Sequence, residues 1–291
     1  MSNEDNLQEP LLEDSTLPQS ESGNIINTGS KKRKRTKGQG QEDSKNKESA
    51  KRKKPKPSED EDIDVEAGVN LAIAKMDNHL LADYIARQTR RYENDLSSVE
   101  LEDKYLPVTA IRDTTSWSKP RTLDNLPEFL EKFAENPTKL WSASKKNGSP
   151  HTIIVTSAGL RAADIARAVR NFQTKDVKVA KLFAKHIKIK ESIAFLKSTR
   201  TGIAVGTPQR LQDLMDDGQH ISFLPVAYVL TCVFAIDRLE RIIIDASHID
   251  QKRRGILEMK ETQVPLIKWL GASTFRERYE GSKDRLQIFF Y

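Results

Sequence analysis

The 291 residues and 33.0 kDa suffice for one domain of roughly 200 to 230 residues plus a tail. Charged residues make up 31%, and a net charge of +6 with a pI of about 9.2 favours an acidic partner such as nucleic acid. One cysteine, Cys232, excludes an internal disulfide framework and fits a reducing compartment, and its apolar surroundings offer no His or Lys to activate the thiol.

Residues 1–66 are poor in aromatics and rich in Ser, Asn, Glu, Lys and Pro, a composition that predicts disorder. They hold 13 Lys/Arg against 15 Asp/Glu, so the basic excess of the chain lies further on; residues 151–201 alone hold 11 basic and 3 acidic residues. Two basic blocks stand out, Lys31, Lys32, Arg33, Lys34 and Arg35, then Lys51, Arg52, Lys53 and Lys54. They suit the acidic groove of a nuclear import receptor; the plainer alternative is a solvated charge run. The first residues, Met1 to Asn6, have neither the basic nor the apolar region of a secretory signal.

From Ala67 to Tyr92 the apolar spacing of Leu71, Ala74, Leu81 and Ile85 predicts a helix, with Arg87, Arg90 and Arg91 at its end. Those arginines are either a solvated helix end or RNA contacts. Residues 105–150 carry five prolines and read as short elements, with one helix at Leu126–Ala134 and with Trp117 and Trp141 as packing anchors. Beyond Pro150, strands and helices alternate, which predicts a parallel sheet covered by helices. The strands are Thr152–Thr156, Val177–Ala180, Thr201–Val205, Arg241–Ile244 and Leu286–Tyr291, and Thr262–Tyr279 reads as the last helix. Ile221 to Ile236 is an almost unbroken apolar run, too short for a membrane span and interrupted by Pro225. It is read as a buried or partner-facing element, or as a short intron translated in frame, which transcript sequencing across it would decide.

Nucleotide hydrolysis on such a sheet needs a Gly-rich phosphate loop with Lys and Ser/Thr, and an acidic pair after the metal-facing strand. No G-x-x-x-x-G-K-[ST] occurs, and Asp245 is followed by Ala246 where the second acid would stand. Asp245, Ser247 and His248 lie too close in sequence to make a catalytic set, and His and Cys show no metal-ligand spacing. Gly206-Thr-Pro-Gln-Arg210 keeps a use without ATP. A helix start bearing Thr207 and Arg210 can hold a phosphate, with Arg161, Arg167 and Lys178 from the basic segment in support.

Thr156-Ser-Ala-Gly-Leu-Arg161, Gly206-Thr-Pro-Gln-Arg210-Leu and Asp245-Ala-Ser-His248 stand in the order of the P-T-R-E-L-A, G-T-P-G-R-L and D-E-A-D motifs of DEAD-box RNA helicases, and the chain resembles their first RecA-like domain. With the helix Leu81-Ala-Asp-Tyr-Ile-Ala-Arg-Gln-Thr89 and the basic tail, it is similar to the Cms family of pre-ribosome-associated proteins. The expected fold is therefore α/β: a single RecA-like, P-loop NTPase-type parallel sheet flanked by helices (151–291), a helical N-terminal extension packed on it (67–150) and a disordered tail (1–66). The resemblance implies a non-catalytic nucleolar factor in small-subunit precursor assembly and rRNA processing. Its implied partners are pre-ribosomal RNA, small-subunit precursor proteins and an import receptor, with no cofactor, metal, membrane or small-molecule substrate. Two alternatives stand beside it: a divergent ATPase whose missing loop is supplied in another way, and a protein-interaction scaffold.

Overall fold

The computed structural model describes residues 62–183, 187–219, 235–281 and 285–291. Both basic blocks, Cys232 and nearly all of the Ile221–Ile236 run lie outside the described residues. The first elements are a small antiparallel hairpin, β1 (Ile63–Asp64) and β2 (Val69–Asn70), with Gly68 in its turn at φ 63°. Regular structure thus begins ahead of Ala67, inside the stretch expected to be disordered. The reason is local: Ile63 and Val69 give the hairpin apolar content, and β2 pairs onward with Ser247 and His248.

The central sheet holds five parallel strands: β3 (Thr152–Val155), β4 (Lys178–Leu182), β5 (Thr201–Gly206), β6 (Arg241–Ile244) and β7 (Gln287–Phe290). Their order is β4-β5-β3-β6-β7. All five match expected strands, and the arrangement is consistent with a RecA-like sheet. β3 and β6 are buried on both faces, which is why Thr-Ile-Ile-Val and Arg-Ile-Ile-Ile show no polar alternation.

The direction of travel decides where the helices go. A right-handed crossover puts its helix on one face when the chain moves one way across the sheet, and on the other face when it moves back. Only the step from β3 to β4 runs backwards, and its helix α5 (Gly159–Ala168) packs on the second face with Ile154, Ile203 and Ile243. The helices α6 (Ile189–Ser198), α7 (Pro208–Gln219), α8 (Lys260–Leu270) and α9 (Ser273–Glu280) belong to forward steps and pack on the first face with Ile153, Ala204 and Ile242. One helix cannot cover five strands. The rest of the second face is filled by the N-terminal extension, through Trp117, Leu126, Phe129, Leu130 and Leu140. Leu126, Phe129 and Leu130 sit on α4 (Leu126–Lys132), which has Pro127 in its first turn as expected.

The helix expected over Ala67–Tyr92 is two: α1 (Ala72–Lys75) and α2 (Asn78–Tyr92). Asp77 starts the second by accepting the Leu80 N–H at 2.8 Å, an N-cap the apolar spacing did not show. Helix α3 (Ser98–Glu102) follows with a capping box between Ser97 and Glu100. The expected helix Thr262–Tyr279 is likewise divided, at Gly271 and Ala272. Helix α2 packs against α8 on the first face, tied by Tyr84 to Glu258 (2.5 Å) and by Gln263 to Thr89 (2.8 Å). Two of the three arginines of α2 lie over its own tyrosines, Arg87 above Tyr84 and Arg91 above Tyr92, each 5.8 Å from the ring centre, and Arg90 donates to Tyr105 Oη at 3.4 Å.

The outer edge of β7 is closed by the extension as well. Ile111 bridges Ile288 in parallel, Arg112 N–H donates to Ile288 O at 2.8 Å, and the buried Arg121 donates to Phe290 O at 2.6 Å. Trp117 is buried and meets Phe129 edge-on. Trp141 meets Phe172 in the same way and donates to Asn171 O but stays 39% exposed, so Trp117 anchors the core as expected and Trp141 packs only at the surface. No helix among the described residues is long and apolar enough to cross a membrane.

Candidate nucleic-acid interface

The sheet reverses its strand order around β3, whose neighbours are β5 and β6. In open α/β sheets, ligands bind outside the carboxyl ends of the strands at such a point. The residues just past those ends are Thr156 after β3, Thr207 after β5 and Asp245 after β6.

Between β3 and β6 the crevice is closed by an internal ion pair. Arg161, on the first turn of α5, donates Nε to Asp245 Oδ2 at 3.0 Å and Nη2 to Oδ1 at 3.1 Å. Thr156 Oγ1 donates to the same Oδ2 at 2.7 Å. The side chain of Asp245 is 3% exposed and that of Arg161 14%. Burial alone would lower the Arg161 pKa, but the charge and hydrogen bonds of Asp245 reverse this and hold it above the ordinary guanidinium value. Both carboxylate oxygens are therefore engaged, on the residue that in a helicase frame would face magnesium. Burial foremost lowers the His248 pKa below the usual imidazole range, and Ser247 Oγ is buried with no hydrogen-bond partner among the described residues. Among the described residues no cluster of His, Cys, Asp or Glu could hold a metal ion.

Between β3 and β5 the crevice is open, with a cavity of about 540 Å³ lined by Ser157 to Leu160, Thr207 to Gln209, Glu261 and Thr262. Two helices begin there. The first intrahelical bonds are Ala162 N–H to Ala158 O in α5 and Leu211 N–H to Thr207 O in α7. The amides of Gly159, Leu160 and Gln209 precede these bonds, so each helix start presents N–H groups and a positive dipole end to the cavity. Ala158 caps α5 with no side-chain hydrogen bond. This arrangement suits an anion carried on an extended backbone.

The five residues expected to contact phosphate separate into four environments. Thr207 lines this cavity, as its sequence position suggests. Arg161 is consumed by Asp245. Arg210 requires a correction: its side chain points into the fold, 6% exposed, with Nη1 donating to Ser192 Oγ (3.1 Å) and Nη2 to Ile187 O (2.8 Å). It lies one turn into α7 on the side facing α6, so it ties two helices together. Arg210→Ala is expected to lower stability by about 1–3 kcal/mol, through the buried acceptors it leaves unpaired; urea unfolding measures this.

Arg167 and Lys178 line a different cleft, of about 680 Å³, with Arg170 and Lys181. Arg167 is about eight residues along α5 from the first cavity, a distance of roughly 12 Å. Sequence reasoning grouped these cations with Thr207 because they are close in the chain. It missed the pairing of Arg161 with Asp245 and Thr156, although a single acid at a strand end with an arginine on the next helix is the signal that could have shown it.

The fold defines a basic α/β protein with a parallel sheet consistent with a RecA-like arrangement, its crevice closed by an ion pair between β3 and β6 and open between β3 and β5. Comparison gives the family. The model of the family described as "CMS1: U3-containing 90S pre-ribosomal complex subunit" matches residues 26–291, and this chain belongs to that family and with it to ribosome biogenesis. Similar relatives are Protein CMS1 of Chaetomium thermophilum, 54% identical over 226 residues (78% of this chain, 84% of that one), and Protein cms1 of Schizosaccharomyces pombe, 31% identical over 206 residues (71% and 68%). Protein CMS1 of Saccharomyces cerevisiae is 24% identical over 196 residues (63% and 57%).

Proposed function

We propose that this protein is a non-catalytic subunit of small-subunit precursor particles, acting in the nucleolus, that grips RNA backbone with a helicase-like sheet and does not turn over ATP. The observation that carries the reading is the Arg161–Asp245 pair: a carboxylate already neutralised by a bidentate guanidinium and bonded by a hydroxyl is a poor ligand for magnesium. The absent phosphate loop and the Ala246 that follows Asp245 support it. RNA is assigned to the cavity between the starts of α5 and α7, where phosphate oxygens meet free amides and the Thr207 hydroxyl.

The test uses the full chain. Radiolabelled ATP with magnesium is expected to show neither retention nor phosphate release; turnover would favour the divergent ATPase. Anisotropy of labelled oligouridine is expected to show binding that weakens steeply with salt. Ala158→Asp and Thr207→Asp place an acceptable N-cap at each helix start and a negative charge facing the cavity. Each is expected to weaken RNA binding about tenfold while leaving thermal stability equal or higher. RNA affinity that is unchanged in both variants would defeat the assignment and leave the scaffold reading.

A further inference from the structure

The cleft lined by Arg167 and Lys178 is unused by the reading above. It lies along the outer side of β4, the terminal strand of the sheet among the described residues, between the end of α5 on one face and α6 on the other. In the ladder with β5, Lys178 N–H donates to Arg200 O and Leu182 O accepts from Thr207 N–H. A parallel strand turns alternate residues to opposite neighbours, so Val179 and Lys181 present their N–H and C=O groups outward, where no further strand stands among the described residues. The strand is five residues long, roughly 17 Å.

The walls match an extended peptide better than a nucleotide chain. The floor is apolar, with Val179, Ile187 and Phe195, whereas the rim carries Arg167, Arg170, Lys178 and Lys181 against one acid, Glu191. Arg167 already pairs with Asp164, which leaves three cations with no acidic partner in the cleft wall other than Glu191. Lysines on an exposed strand edge repel a second, identical edge, which disfavours pairing between two copies of this chain. They attract an acidic strand.

We propose that the outer edge of β4 is a docking groove for an acidic peptide segment of a partner protein, which adds a strand to the sheet by backbone hydrogen bonding and places carboxylates against Arg170, Lys178 and Lys181. This goes beyond the RNA assignment and stands without it, because the two use different ends of α5.

A labelled eight-residue peptide of alternating glutamate and valine, titrated into the full chain and followed by anisotropy, tests it. Saturable binding is expected, weakened at least tenfold by N-methylation of alternate peptide nitrogens and at least tenfold by Lys178→Glu or Lys181→Glu. Both lysines are exposed, so circular dichroism should be unchanged. The Ala158→Asp and Thr207→Asp variants should bind the peptide normally, which separates failure of this proposal from failure of the RNA assignment. Equal binding of a lysine–valine peptide, or indifference to N-methylation, would overturn the proposal. So would oligouridine that displaces the peptide and itself loses affinity on Lys181→Glu, which would make the groove an RNA site. Self-association of the chain that Lys181→Glu abolishes would assign the edge to a second copy. Peptide binding that emerges only after Glu59, Asp60 and Glu61 are changed to lysine would assign it to the chain's own tail.

Discussion

Arg161→Leu is expected to cost about 3–5 kcal/mol of unfolding free energy, because it leaves the Asp245 carboxylate buried with only the Thr156 hydroxyl for company. For a domain of this size that corresponds to a fall in Tm of roughly 10 °C. Asp245→Leu is expected to cost less, since Arg161 is the more exposed partner and its long side chain can turn towards solvent. The double variant Arg161→Leu with Asp245→Leu removes both charges and should recover much of the loss, giving a coupling energy on the order of 2 kcal/mol or more. Denaturant unfolding of the four proteins measures this. A single Arg161→Leu variant within 1 kcal/mol of the parent would show that the carboxylate is not held as described, and the main support for the proposed lack of ATP turnover would fail.

The second large effect concerns acid. His151, the residue before β3, is buried; its Nδ1 lies 2.8 Å from Thr152 Oγ1 and its Nε2 has no partner. Burial foremost, with Arg241 nearby, lowers its pKa from 6.5 to about 4. The sign follows directly. Between those two values the unfolded chain takes up a proton that the folded chain refuses, so stability falls as pH drops through that window and levels off below it. The loss from this group is on the order of 3 kcal/mol. His248, also lowered by burial, adds in the same direction. His151→Leu is expected to flatten the fall between about pH 6.5 and 4 relative to the parent. Parallel pH profiles of the unfolding midpoint would expose the idea as wrong if the two curves kept a constant offset.

The sheet was legible in the sequence because its central strands, buried on both sides, leave short runs of Ile, Val and Thr bounded by turn residues, as in Thr152–Val155 and Arg241–Ile244. Helix boundaries were less so. The spacing of Leu71, Ala74, Leu81 and Ile85 is continuous across Asp77, and only the side-chain cap of that residue divides the helix. The position of Thr207 at a helix start was readable from Gly-Thr-Pro, since proline fits the first turn and glycine ends the strand. The fate of Arg210 was not. Whether an arginine faces solvent or a neighbouring helix depends on the packing of α6 against α7, which no local pattern encodes. The same holds for the separation of Thr207 from Arg167 and Lys178: a helix length and a strand length carry them apart, although the chain keeps all three within about 50 residues.

The closure of β7 by the extension also sets a timetable for the nascent chain. Ile111 meets Ile288, Arg121 meets Phe290 and Tyr84 meets Glu258, partners separated by some 170 positions. During synthesis the first of each pair is made long before its mate. Loop-closure entropy must be overcome before those contacts contribute anything, so the barrier to assembly is high and folding slow. Until its last strand emerges from the ribosome, this chain carries Leu126, Phe129 and Leu130 without the sheet they belong to, a hazard that attendant chaperones or early capture by the particle would relieve.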